Sequence, residues 1–135
     1  EHIGADRVLV EEIARVLKGG GTFLATVPAY PHLWSRWDER LGHKRRYEAK
    51  GFRMLFQGSG LAVRKMSFTN VLIYPAAFLR RKMFGMVGGD TSDFSIAGGR
   101  VVGAVMAVYY AVERFGVKTT GFPFGLALFG CFRKE

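Results

Sequence analysis

Ile13-Ala14-Arg15-Val16-Leu17-Lys18-Gly19-Gly20-Gly21-Thr22-Phe23-Leu24-Ala25-Thr26-Val27-Pro28 passes from a helical pattern to a strand pattern across three glycines, and its reading decides the fold. Upstream, Leu9, Ile13, Val16 and Leu17 are spaced to share one face of a helix that starts at Asp6. Asp6 is placed to cap the first amides, Glu11 stands four residues before Arg15, Lys18 suits the negative end of the helix dipole, and the glycines end the helix. Thr22 to Val27 is short, partly β-branched and mostly apolar before Pro28, which predicts a strand buried on both faces of a parallel sheet. A helix followed by a buried strand is the repeating unit of α/β folds.

The unit recurs downstream. A weaker helix is expected over Ala49 to Gln57, with Phe52, Leu55 and Phe56 on one side, and Gly58-Ser59-Gly60 stops it before the strand-like Leu61 to Phe68. Between the two units, Ala29 to Tyr47 lacks periodicity but carries two tryptophans, two tyrosines, two histidines and several arginines, a composition that predicts an ordered functional loop. Val71 to Phe84 reads as helical from about Pro75, Gly88 to Gly99 as a polar loop, Arg100 to Phe115 as a helix and Gly125 to Phe132 as a last strand. The chain thus divides into a core over 1–70, a helical insertion over 71–120 and a final strand over 121–135.

With 49% hydrophobic residues, 12 Phe and 23% charged residues, the 135 residues suit one packed domain rather than a disordered chain. None of the apolar stretches reaches the roughly 20 residues of a membrane span. The chain opens on Glu1-His2-Ile3, with no Met and no signal-peptide pattern, which reads as a cut ahead of Glu1. One cysteine, Cys131, lies in an apolar run, so no internal disulfide forms and a reducing, cytoplasmic setting is expected. The net charge of +9 concentrates between Arg36 and Lys82, where acids are few; such a surface attracts nucleic acid, phospholipid headgroups or a phosphorylated substrate, or is a solvated basic face. Phe78, Leu79, Met83 and Phe84 beside Arg80-Arg81-Lys82 suit either a core helix or peripheral contact with an anionic membrane.

Glu1-His2-Ile3, the helix ending Ile13-Ala14-Arg15-Val16-Leu17-Lys18-Gly19-Gly20-Gly21-Thr22, and Leu24-Ala25-Thr26-Val27-Pro28 are similar to the "L-E-H-I … E-I-x-R-V-L-K-P-G-G … L-x-x-V-P" stretch of class I S-adenosylmethionine-dependent methyltransferases. Tyr30-Pro31-His32-Leu33-Trp34-Ser35, Asp38-Glu39 and Leu41-Gly42-His43-Lys44-Arg45-Arg46-Tyr47 resemble the loop of a bacterial subgroup of that family associated with lipids and glycoconjugates. Departures are Gly19 for the usual Pro, Glu48 where a hydroxyl cap is common, and Gly51 and Gly58, which weaken the second helix. The resemblance spans about the whole chain and is most specific over Leu41 to Tyr47.

It implies the C-terminal part of a doubly wound, Rossmann-like α/β sheet with its last strand antiparallel, the cofactor's glycine-rich loop and acidic residue being encoded upstream of Glu1. The implied reaction is methyl transfer from S-adenosylmethionine to a small-molecule, lipid-linked or glycoconjugate acceptor by the intact parent, half a pocket being unable to align the reactants. His2 and Ile3 would approach the cofactor, or His2 caps the following helix. His43, Arg46 and Tyr47 suit an anionic acceptor, with His43 or Tyr47 in proton transfer, or they lock the loop to the sheet. Tyr30, Trp34 and Trp37 line a substrate slot or form the loop's own packing. RNA methylation is the alternative within the class, and a non-catalytic basic module for nucleic acid or anionic membrane the alternative outside it. His2, His32, His43 and Cys131 match no zinc spacing, so no metal is expected.

Overall fold

The computed structural model describes residues 1–84 and 100–135, the side chains of 80–84, 100 and 101 excepted. The chain is a mixed α/β structure. In order it forms α1 (Asp6–Val16), β1 (Thr22–Pro28), a 3-10 turn (Pro31–Leu33), α2 (Arg36–Arg40), α3 (Ala49–Leu55), β2 (Leu61–Thr69), α4 (Ile73–Phe84), α5 (Arg100–Lys118) and β3 (Ala127–Lys134). The predicted loop at Gly88 to Gly99 lies outside the described residues, as do the side chains of Arg80, Arg81 and Lys82.

The three strands make one sheet in the order β1-β3-β2. The last strand lies in the middle and runs antiparallel to both neighbours, Thr26 facing Phe129 on one side and Ser67 facing Phe129 on the other. Consequently β1 and β2 point the same way and deliver their carboxyl ends to the same edge. The only parallel pairing among the described residues is the bridge between Ala29 and Tyr47, just beyond that edge; the parallel sheet expected around Thr22 to Val27 is not among the described strands.

One face of the sheet is covered by α1 and α3. Phe132 and Leu128 of β3, Phe52 and Phe56 around α3, Leu61 of β2, Val27 of β1 and Val10 and Ala14 of α1 form the main core. The Phe56 and Phe132 rings stack with centroids 3.6 Å apart. Arg7 of α1 donates through Nη1 to the carbonyls of Leu55 and Gln57 at 3.0 and 2.7 Å, satisfying acceptors that the end of α3 leaves open.

Four expectations change here, that for Asp6 in part. The buried stripe of α1 centres on Val10 and Ala14, with Ile13 and Leu17 beside them in the core shared with α3, whereas Leu9 and Val16 are exposed. Asp6 serves α1 only in part: Ala5 holds the cap position without a side-chain bond, Asp6 Oδ1 accepts from the Arg7 amide at 3.0 Å, and Oδ2 reaches Arg45 and Tyr47. β1 is not buried on both faces: exposure alternates along it and Leu24 is 59% exposed. Cys131 is partly exposed rather than buried.

Candidate functional site

The loop from Ala29 to Tyr47 is ordered by one carboxylate. Ser35 and Asp38 form a reciprocal cap on α2, a pairing that the Ser-x-x-Asp spacing makes available. Asp38 Oδ2 accepts from the Ser35 amide at 2.9 Å and from Ser35 Oγ at 3.0 Å. Its Oδ1 accepts from Arg46 Nε at 2.8 Å and faces His43 Nδ1 at 3.0 Å. Asp38 has no exposed surface. Burial pushes its carboxyl upward in pKa, but the bonds from Arg46, His43 and Ser35 outweigh that and hold it below the ordinary carboxylate range. An ionised carboxylate only accepts, so His43 donates through Nδ1 and its Nε2 is left as the second face of the ring.

Arg46 is itself buried and donates through Nη1 to the Ala29 carbonyl at 3.1 Å, so its guanidinium ties the loop to the end of β1. Tyr47 plays a similar part. Its hydroxyl donates to Asp6 Oδ2 at 3.1 Å, its ring packs on Phe52, and burial followed by the Asp6 charge pushes the phenol up to about 12. Arg45 bridges Asp6 Oδ2 at 2.7 Å and the Gly4 carbonyl at 2.6 Å, and the Lys44 amide donates to the Glu1 carbonyl at 2.7 Å. Two arginines of the basic loop are thus neutralised locally. The same bonds lay residues 1–6 alongside 43–47.

These contacts enclose a crevice of about 190 Å³ at the carboxyl ends of β1 and β2. Its walls include Glu1, Trp37, Asp38, His43, Arg46 and Asn70. A complete small-molecule site typically measures roughly 300–1,000 Å³, so this crevice houses only part of a ligand. A second crevice, of about 310 Å³, lies between α1, β1 and α3 and is bordered by Glu1, Ile3, Asp6 and Tyr47.

Of the residues singled out in the sequence, the structure brings His43 and Arg46 to the first crevice, and His2 stands beside it with its ring edge-on to His43, centroids 4.8 Å apart. Ile3 and Tyr47 border the second crevice instead. Tyr30 stacks on Phe68 and meets Tyr74 at a tilt in a smaller apolar cluster with Leu33, Ala77 and Leu126, and burial raises its phenol. Trp34 donates to Glu39 at 3.3 Å, while Trp37 is the tryptophan that reaches the crevice. Asp38 and Asn70 have no site role in the sequence, where Glu1 figures only within the Glu1-His2-Ile3 segment; for Asp38 the capping spacing from Ser35 is the available signal. No family model, curated protein or solved structure matches the chain.

Proposed function

We propose that this chain is the C-terminal part of a Rossmann-like methyltransferase domain, and that the intact protein transfers a methyl group from S-adenosylmethionine to a small, lipid-linked or glycoconjugate acceptor. The observation that carries the reading is the sheet: a final antiparallel strand set between two co-directional strands, with the Glu1-His2 segment and the 29–47 loop side by side at their carboxyl ends. In doubly wound folds ligands bind beyond that edge. The partial crevice and the exposed Leu24 face of β1 leave room for an opposite wall encoded elsewhere in the parent.

Sulfonium methyl transfer needs alignment and a dry, electrostatically suited pocket more than covalent chemistry. On this reading Asp38 and Arg46 hold the loop in place, His43 presents Nε2 to the acceptor side, and Trp37 supplies an apolar wall. Calorimetry of the intact protein with S-adenosylhomocysteine tests the assignment. Saturable binding is expected, and its absence removes the cofactor.

One observation favours a membrane-proximal acceptor over RNA. Val105, Val108, Val112 and Phe115 of α5 recur at steps of three and four, share one face, and are each more than 60% exposed. Glu113, buried, fastens the helix from another side by accepting from the Val71 amide and the Tyr109 hydroxyl. Arg114 and Lys118 are exposed on the same helix. No helix of the described residues is long and apolar enough to cross a membrane, so α5 would lie in the interface plane. Co-sedimentation with phosphatidylcholine–phosphatidylserine vesicles is expected to exceed that with phosphatidylcholine alone, and to be lost in a Val108→Asp/Phe115→Asp variant. Binding to RNA that survives this variant, with none to vesicles, would favour the nucleic-acid reading.

A further inference from the structure

The methyl-transfer reading sets His43 toward the acceptor and His2 toward the cofactor, and gives Glu1, beside them, no part. Glu1, His2 and His43 each offer one ligand atom, and the three atoms lie within 4.8 Å of one another. His2 Nε2 stands 3.8 Å from Glu1 Oε1, and the two imidazole rings meet edge to face. Forty-one positions separate His2 from His43 in the chain, which is why no ligand spacing was visible in the sequence.

We infer that Glu1, His2 and His43 form a binding site for a divalent transition-metal ion. Two features make this more than proximity. First, Asp38 engages His43 Nδ1 at 3.0 Å from a fully buried position, which fixes the ring and its tautomer and turns the other nitrogen outward. A carboxylate behind a histidine is the usual outer support of a ligating imidazole. Second, the ligands come from two segments already fastened together by the Lys44 to Glu1 backbone bond, so their approach is built into the fold.

Closing the three atoms onto ligand distances of about 2.0–2.2 Å asks movement of His2 and Glu1, not of His43. Both have room: the His2 side chain is 56% exposed and that of Glu1 25%, against 12% for His43. Two imidazoles and one carboxylate suit zinc or ferrous iron; magnesium and calcium prefer all-oxygen sets. Three protein ligands leave at least one coordination position open, as in reactive rather than structural sites. Because Glu1 and His43 also line the crevice, an ion held there would lie at its border.

The site stands on its own geometry and does not depend on methyl transfer. It is tested on the chelator-stripped chain, acetylated at its N-terminus so that the terminal amine cannot act as a ligand. The chain is titrated with Co²⁺ followed by visible absorption, then competed with Zn²⁺. One ion per chain is expected, displaced by Zn²⁺. His2→Ala, whose side chain is largely in solvent, and Glu1→Gln should each weaken binding at least roughly tenfold with an unchanged far-ultraviolet spectrum, and His43→Ala should abolish it; the His32→Ala control should match the parent. No Co²⁺ or Zn²⁺ binding at millimolar concentration, or binding indifferent to His2→Ala and Glu1→Gln, overturns the assignment. Failure of S-adenosylhomocysteine binding would leave this result untouched.

Discussion

Asp38→Asn isolates the residue on which the 29–47 loop turns. The carboxylate accepts four hydrogen bonds, two at each oxygen, and has no exposed surface. Asparagine keeps the volume but replaces one oxygen with an amide nitrogen, which must then face two donors, from Ser35 or from His43 and Arg46. The charge is also lost, leaving the buried Arg46 guanidinium without its counter-ion. Removing one partner of a buried ion pair typically costs about 3–5 kcal/mol, and the retained shape puts this case near the lower end, about 3 kcal/mol. For a chain of this size that corresponds to a fall in Tm of roughly 10 °C. Urea unfolding followed by circular dichroism measures it. Arg46→Gln should cost a similar amount, and the double variant less than the two losses added, because neither charge is then stranded. An Asp38→Asn chain within about 0.5 kcal/mol of the parent, or additive losses in the double variant, would refute the view that this carboxylate organises the loop.

Tyr47 should make stability fall at high pH. Its folded pKa of about 12 lies above the ordinary value of 10, so its contribution is complete below pH 10 and is lost as pH rises through 12. The loss is about 2–3 kcal/mol, and Tyr47→Phe should flatten the alkaline decline in a urea series run at successive pH values. Gly125→Ala should destabilise by about 2–3 kcal/mol in the same assay, because its Cβ would run into the Thr69 carbonyl oxygen, a backbone atom that cannot swing aside. Gly103→Ala on α5 meets open space and should instead gain up to about 1 kcal/mol. Asn70 holds φ at 59°, where asparagine is tolerated and alanine costs about 1–2 kcal/mol; Asn70→Gly should therefore keep stability and Asn70→Ala lose it.

The elements themselves were legible because glycines and proline punctuate the chain where its periodicity changes. Gly58, at φ 71°, follows α3 as the predicted stop requires. Failures came where a residue's partner is distant. Asp6 reads locally as an acceptor for the first amides of α1, and one oxygen does take the Arg7 amide, but the other reaches 39 positions away to Arg45 and also takes the Tyr47 hydroxyl. The basic loop reads as unpaired charge because Asp38 and Asp6 face it only after folding. Leu9 and Val16 fit the helical period as well as Val10 and Ala14 do, and the choice between the stripes is made by packing against distant residues such as Phe52 and Phe56, which the local pattern does not encode. Among the site residues, His43 and Arg46 could be chosen by chemistry. Glu1 and Asn70 could not, since Glu1 reaches the crevice through the bond from the Lys44 amide to its carbonyl and Asn70 through its place at the end of β2.

The two strand ends at the crevice share an unusual backbone. Tyr30 follows β1 with φ at 60° and Asn70 follows β2 with φ at 59°, and these are the only non-glycine residues among those described in the left-handed region. Each such conformation costs of order 1–3 kcal/mol in a bulky residue and persists only where surrounding contacts over-determine it. For Tyr30 those contacts are identifiable: its ring lies nearly parallel to Phe68 at 5.3 Å, and its amide donates to the Tyr47 carbonyl. The turn at Tyr30 sends the chain away from β1 at once, so that α2 and His43 return over the strand end instead of continuing it. Tyr30 therefore shapes the crevice without lining it. A glycine there would adopt the same φ freely but would forfeit the aromatic contacts that hold the loop against α4 and β2, which explains why a large aromatic occupies a position whose backbone alone would favour the smallest residue.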